Sequence, residues 1–206
     1  MDQQLLGAGA WHPVLSLVLA ALVVMGSPGP STISVTAVGA AYGFRRSLPY
    51  VAGLILGTSA VLVAIAAGLV SILLSQPRLA PILLGLSVAY IAYLAFRIAT
   101  APPLSAPGGD ARPPRLAGGF LLAVANPKAY LAIAAVFTGT TLAESQLADS
   151  LAKTVVLVGI IVVIHFAWLV AGSAFARLLQ RPVVSRAVNL LFAAILLATA
   201  GLALLH

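Results

Sequence analysis

Charges are so rare in this chain that the intervals between them decide what it can fold into. No Asp, Glu, Lys or Arg occurs over residues 3–44, 47–77, 79–96, 154–176 or 187–206. A helix crossing a bilayer needs about 20 apolar residues, at about 1.5 Å of rise each, to span about 30 Å of hydrocarbon. The intervals therefore supply five spans, near residues 13–41, 48–74, 79–97, 154–173 and 184–205, and a sixth near 116–139 is interrupted only by Lys128. Of the 206 residues 62% are hydrophobic and 7% charged, against about 45–50% and about 25% in a soluble domain. That balance excludes a soluble domain, and it excludes a disordered chain, which is poor in apolar residues and rich in charge. The expected fold is an all-α integral membrane protein with six transmembrane helices, a single transmembrane domain over residues 1–206.

The first apolar stretch is expected to stay in the mature protein, because its leading segment carries Asp2 and no Lys or Arg, whereas a signal peptide opens with a positive region. Orientation follows from the basic residues. The connections after spans one, three and five hold Arg45, Arg46, Arg97, Arg112, Arg115, Arg177, Arg181 and Arg186, and the opposite side holds Arg78 and Lys153. This bias puts the odd-numbered connections in the cytoplasm and both termini on the extracytoplasmic side. Residues 101–115, rich in Pro and Gly, read as a cytoplasmic linker between a first repeat near 13–100 and a second near 116–206. The net charge of +7 is spread singly or in pairs between apolar runs, which suits lipid headgroups and argues against nucleic acid. With no Cys and three His, no disulfide, thiolate metal site or cofactor is expected.

Three spans per half is an odd number, so homologous halves must enter the membrane in opposite senses, the inverted repeat of many secondary transporters. Such folds break a helix in each half at corresponding positions, and both breaks are present. The first span contains Gly26-Ser27-Pro28-Gly29-Pro30 and the fourth Asn126-Pro127-Lys128. Proline lacks an N–H, clashes with the carbonyl four residues earlier and disfavours helical backbone in the residue before it. Pro30 and Pro127 suit the first position of a new half-helix, with Asn126 as N-cap. The restarts are expected to free the N–H groups of Ser31, Thr32 and Ile33, and of Lys128 and Ala129. Asn126 lies ten residues from Leu116, about 15 Å of helix and so near the midplane. Irregular backbone at that depth lines a cavity or is buried in protein.

Lys128 has two readings, a side chain that snorkels to the interface or an intramembrane cation facing a polar site. In the second, two half-helix N-termini and one ammonium make a positive site suited to a carboxylate. The expected binding residues are Ser27, Pro28, Gly29, Pro30, Ser31, Thr32, Asn126, Pro127 and Lys128. The spans hold no Asp or Glu, so a substrate ammonium would rely on carbonyls freed at Val24, Met25 and Gly26, on hydroxyls, or on aromatic faces.

These residues resemble a known family. Ser27-Pro28-Gly29-Pro30, Gly43-Phe44-Arg45-Arg46, Ala52-Gly53 with Gly57, Ala89-Tyr90 with Leu94, and Asn126-Pro127-Lys128 look like the LysE/RhtB family of bacterial amino-acid exporters. The resemblance covers most of the chain. It implies a multi-pass inner-membrane exporter of amino acids or related metabolites, driven by the proton-motive force without ATP, and no P-loop is present. The fifth span departs from the family, where an acidic residue is frequent: its one ionisable residue is His165. His165 is either a proton carrier or a hydrogen-bonding packing residue.

Gly39 with Gly43 and Gly53 with Gly57 have the spacing of close helix contacts, read as a seam between spans one and two, with a homodimer left open. Trp11, Tyr42, Tyr50 and Trp168 are read as interfacial anchors. Two other functions are weighed. An intramembrane enzyme needs a nucleophile with its base or a carboxylate-bound metal, and neither constellation is present. A channel or passive pore needs a filter or rings of charge, and no such segment appears. A neutral amino acid is the favoured substrate, because no acidic residue is available to a second cationic group.

Overall fold

The computed structural model describes residues 3–68, 79–100, 114–178 and 182–204, which are helical apart from short turns and one connecting segment. The helices are α1 (Gln3–Val24), α2 (Pro30–Tyr42), α3 (Phe44–Ala66), α4 (Leu79–Ala99), α5 (Leu116–Ala125), α6 (Pro127–Thr138), α7 (Gln146–Leu178) and α8 (Pro182–Leu204). The apolar intervals thus become helices, and the two expected interruptions separate α1 from α2 and α5 from α6. The linker over residues 101–113 lies outside the described residues, as does the end of the second expected span beyond Gly68. By length and composition α3 and residues Gln146–Ala174 of α7 are able to cross a membrane, and α5 with α6, bent by 64°, makes a third candidate.

The solvent of this fold can be read from what is inside and what is outside. Every residue of α2 is buried, including Ser31, Thr32, Ser34 and Thr36. Meanwhile Trp11, Leu131, Val155 and Val170 are exposed. Hydroxyls inside and large apolar side chains outside are the arrangement lipid selects, since each inward polar group must find a partner and the outer face needs none. The buried hydroxyls do so within their own helix: Ser34 Oγ donates to Ser31 O at 2.8 Å and Thr36 Oγ1 to Thr32 O at 2.8 Å.

Packing joins the two halves of the chain. The largest contacts are α3 on α5, α2 on α7, α4 on α8 and α3 on α7. The glycine seam therefore differs from expectation. Gly53 and Gly57 lie in the α3–α5 crossing, where a Cβ on Gly53 would overlap the Leu116 carbonyl, and Gly39 faces Leu169 and Ser173 of α7. Gly119 and Gly172 complete these crossings from the other side, against Tyr50 and Thr36. Gly43 takes no part in either; it turns the chain between α2 and α3 at φ 77° and ψ 168° with nothing near its Cβ direction. Two helices that cross at backbone distance need small residues on both surfaces, which the spacing on one helix cannot specify.

The aromatic residues also divide differently. Trp11 is exposed, but Tyr42 and Tyr50 are buried, with the Tyr50 hydroxyl donating to Ser34 Oγ at 3.0 Å. Trp168 is half-buried and donates through Nε1 to Gly26 O at 3.1 Å. The polar tips of Tyr50 and Trp168 serve interior acceptors instead of headgroups.

Candidate functional site

The first break begins where α1 ends at Val24. Ser27 Oγ donates to Val24 O at 2.8 Å, and Trp168 takes Gly26 O, so two of the three carbonyls expected to be free are occupied. Gly29 is the N-cap of α2, in extended backbone at φ −170°. Its N–H donates to Thr32 Oγ1 at 2.8 Å, and the same hydroxyl donates to Gly29 O at 3.1 Å. Pro30 follows at the first helical position, where a missing N–H costs nothing. Ile33 N–H reaches Gly29 O at 2.8 Å, so of the three expected free donors Ile33 is satisfied, and Ser31 and Thr32 remain as the uncapped N–H groups of α2.

At the second break Asn126 caps α6 as expected, its side chain accepting from Lys128 N–H at 3.1 Å. Ala129 N–H reaches Asn126 O at 3.0 Å. The two amides expected to be free here are therefore both taken, because one asparagine offers a side-chain and a main-chain acceptor at the same turn. Tyr130 bridges the bend, its hydroxyl donating to Val124 O at 2.8 Å and satisfying a carbonyl that the interrupted helix leaves over.

These two breaks, about a hundred residues apart in sequence, meet. Lys128 Nζ donates to Ser27 O at 2.5 Å, to Ser27 Oγ at 2.8 Å and to Pro28 O at 3.0 Å. All three ammonium protons thus go to the opposite break, where Lys128 is half-buried. Beside it, Asn126 Nδ2 donates to Ser31 Oγ at 2.8 Å, with both residues buried. Ser34 Oγ donates to the Ser31 carbonyl and accepts from the Tyr50 hydroxyl, which ties α3 to the same turn of α2. Gly29 lies against the Lys128 side chain, where its own Cβ would stand 2.5 Å from Cδ.

A cavity of about 40 Å³ opens beside the junction. Gly29, Ser31, Thr32, Asn126 and Lys128 border it; Ser27, Pro28, Pro30 and Pro127 shape the backbone around it without lining it. His165 borders it as well, and so does Thr58 of α3, which sequence reasoning missed. Thr58 shares a buried stripe with Tyr50 and Leu54, each four residues apart, a register visible in the sequence only once the buried face is known. His165 Nδ1 lies 2.7 Å from Ile161 O. A carbonyl only accepts, so Nδ1 carries the proton and the neutral ring presents a bare lone pair at Nε2. That Nε2 and Thr58 Oγ1 are both buried without a hydrogen-bond partner. Among the described residues no group of His, Cys, Asp or Glu is arranged to hold a metal.

Comparison with known proteins agrees in one direction. A cysteine/O-acetylserine efflux protein of Escherichia coli O139:H28 is 28% identical over 177 residues, covering 85% of this chain and 89% of that protein. Those of Escherichia coli K12 and Shigella flexneri serotype 5b are each 28% identical over 176 residues, covering 85% of this chain and 89% of theirs. No solved structure matches. The profile of the LysE type translocator family matches residues 22–206, both helix breaks included, and the chain belongs to that family of membrane translocators.

Proposed function

We propose that the chain is a secondary transporter that exports a small, neutral amino acid or amino-acid-like metabolite across the bacterial inner membrane, driven by the proton-motive force. The observation that carries this reading is the meeting of two prolyl breaks, one from each half of the chain, through Lys128 and Asn126. In this reading the chain forms one domain of six spans, a first repeat near residues 13–100 and a second, oppositely inserted, near 116–206, with both termini outside. The packing supports it at the level of spans: the first meets the fifth through α2 on α7, the second meets the fourth through α3 on α5, and the third meets the sixth through α4 on α8, as when two three-span units exchange by a two-fold axis.

The substrate carboxylate binds at the junction, against the N-terminus of α2 and the ammonium of Lys128, where the helix dipole and the charge add. Ser27, Pro28, Gly29, Pro30, Ser31, Thr32, Asn126 and Pro127 form and hold that site. A neutral substrate fits because no Asp or Glu stands among the described residues that border the cavity, leaving a cationic side chain without a counter-charge. Efflux of cysteine and O-acetylserine by the relatives supports the same substrate class. At about 40 Å³ the cavity has room for roughly three waters, so an amino acid enters only when the helices around the cavity part. His165 is the candidate proton carrier.

The test is transport by purified protein in liposomes with an imposed pH gradient, over a panel of amino acids including O-acetylserine. Uphill movement of a neutral amino acid, lost in Lys128→Ala with the protein still folded in the bilayer, is the expected outcome. Flux that only follows its own gradient would favour a passive pore, and unchanged export by Lys128→Ala would remove the role given to that residue.

A further inference from the structure

The proposed site accounts for the carboxylate end of a substrate and leaves its amino end without partners. Thr58 Oγ1 on α3 and His165 Nε2 on α7 border the same cavity as Lys128, and both lack a partner. An unpaired buried polar atom is unfavourable because it has given up water for nothing, and these two are 6% and 4% exposed as residues. The Nδ1–H contact to Ile161 O holds the imidazole in the tautomer whose free nitrogen accepts. The threonine hydroxyl also accepts. Both thus offer acceptors to one cavity, and unpartnered acceptors in a cavity that holds no carboxylate suit a donor cation.

We propose that Thr58 Oγ1 and His165 Nε2 receive the α-ammonium group of the substrate, and that the single Nε2 lone pair holds either that ammonium or a proton, never both. This rests on the exporter reading above and deepens it. The consequence is coupling without any acidic residue. With substrate bound, Nε2 accepts an ammonium hydrogen and stays deprotonated. Once the substrate leaves, a proton from the extracytoplasmic side takes the lone pair, and the imidazolium repels an ammonium until that proton is delivered to the cytoplasm. One proton enters for each substrate that leaves. Of the groups on the elements around the cavity, Lys128 of α6 is the one other ionisable side chain among its lining residues; those contributed by α2 and α3 do not titrate. Lys128 is held by Ser27 and Pro28 on the far break, so the exchange of proton for ammonium falls to His165.

Exchange across liposomes with equal pH on both sides tests this. An amino-acid panel with O-acetylserine finds an exchanged substrate, and its KM is then measured from pH 7 to pH 5. Competition with one proton raises KM on acidification, with a limiting slope of about tenfold per unit, whereas the Ki of the matching carboxylic acid without the amino group stays level. His165→Gln keeps an acceptor and cannot hold the proton; it is expected to exchange with a pH-independent KM and to lose acceleration by a pH gradient. Thr58→Val is expected to raise KM several-fold with the pH slope intact. If wild-type protein exchanges no panel member, the exporter reading itself fails. If it exchanges but its KM is level with pH, or the deaminated acid shows the same slope, or His165→Gln keeps the slope, the shared lone pair is overturned and the exporter reading stands. The wild-type comparison of amine and deaminated acid decides the matter even if His165→Gln does not fold.

Discussion

Gly29→Ala isolates the contact between the two breaks with the smallest change available. The Gly29 backbone is extended at φ −170°, a conformation every residue adopts, so the added methyl brings no backbone strain. It brings only a collision, 2.5 Å from Lys128 Cδ, 2.9 Å from Nζ and 3.3 Å from Cε, where ordinary contact begins at 3.4 Å. Lys128 is flexible and retreats, but its ammonium is tied to Ser27 O, Ser27 Oγ and Pro28 O at 2.5, 2.8 and 3.0 Å. Hydrogen bonds to a charged group are worth about 1.5–3 kcal/mol each, so losing one weakens the junction by roughly that amount. At about 1.4 kcal/mol per factor of ten, the matching fall in transport kcat/KM is about ten- to a hundredfold. The assay is exchange in liposomes for wild type, Gly29→Ala, Lys128→Ala and the double variant, with thermal unfolding in detergent alongside. In the Lys128→Ala background the three atoms nearest the Gly29 methyl are gone, so the double variant is expected to match Lys128→Ala. Full activity in Gly29→Ala, or a fall in melting temperature of equal size when it is added to Lys128→Ala, would refute the reasoning.

Other expectations follow from the packing. Gly53→Val forces a side chain into the Leu116 backbone, and overpacking of about 1–3 kcal/mol or more is expected to lower yield of folded protein and its melting temperature. Gly43→Ala meets nothing, but its φ of 77° with ψ of 168° is essentially reserved for glycine, so a loss of about 1–3 kcal/mol is expected from backbone strain alone, with exchange kinetics of the folded fraction unchanged. Lys153 is buried, pairs with Asp149 at 2.7 Å and donates to Phe137 O at 2.9 Å. Lys153→Met removes the donor from both acceptors, while Asp149 keeps the N–H groups of Leu142 and Ala143; a loss of about 1–3 kcal/mol is expected, read as a lower melting temperature without a change in substrate KM.

Local chemistry is legible in the order of the residues. Pro28, Pro30 and Pro127 cannot continue a helix, and Asn126 caps one, so the positions of both breaks and of the half-helices they start follow from adjacent residues. The apolar intervals likewise announce the helices over Phe44–Ala66 and Gln146–Leu178. The count of free donors is where local reasoning falls short. Ile33, Lys128 and Ala129 find acceptors on Gly29 and Asn126 within the same turn, because capping residues satisfy the orphans they sit beside. Tyr50 and Trp168 depart from expectation for a related reason: an aromatic residue near a span end serves the interface or an interior acceptor depending on what the neighbouring helix brings.

The amino-acid order by itself determined where the chain is helical, where it must stop, and that its outer surface belongs in lipid, since these depend on the period, the proline ring and the transfer of side chains from water. Only the tertiary structure decided that Lys128 answers Ser27, that Gly53 opens onto Leu116, and that Thr58 and His165 face one cavity. Those pairings join residues dozens to a hundred positions apart. They are chosen by which helix surfaces interlock most closely, a property of whole faces that no local spacing encodes.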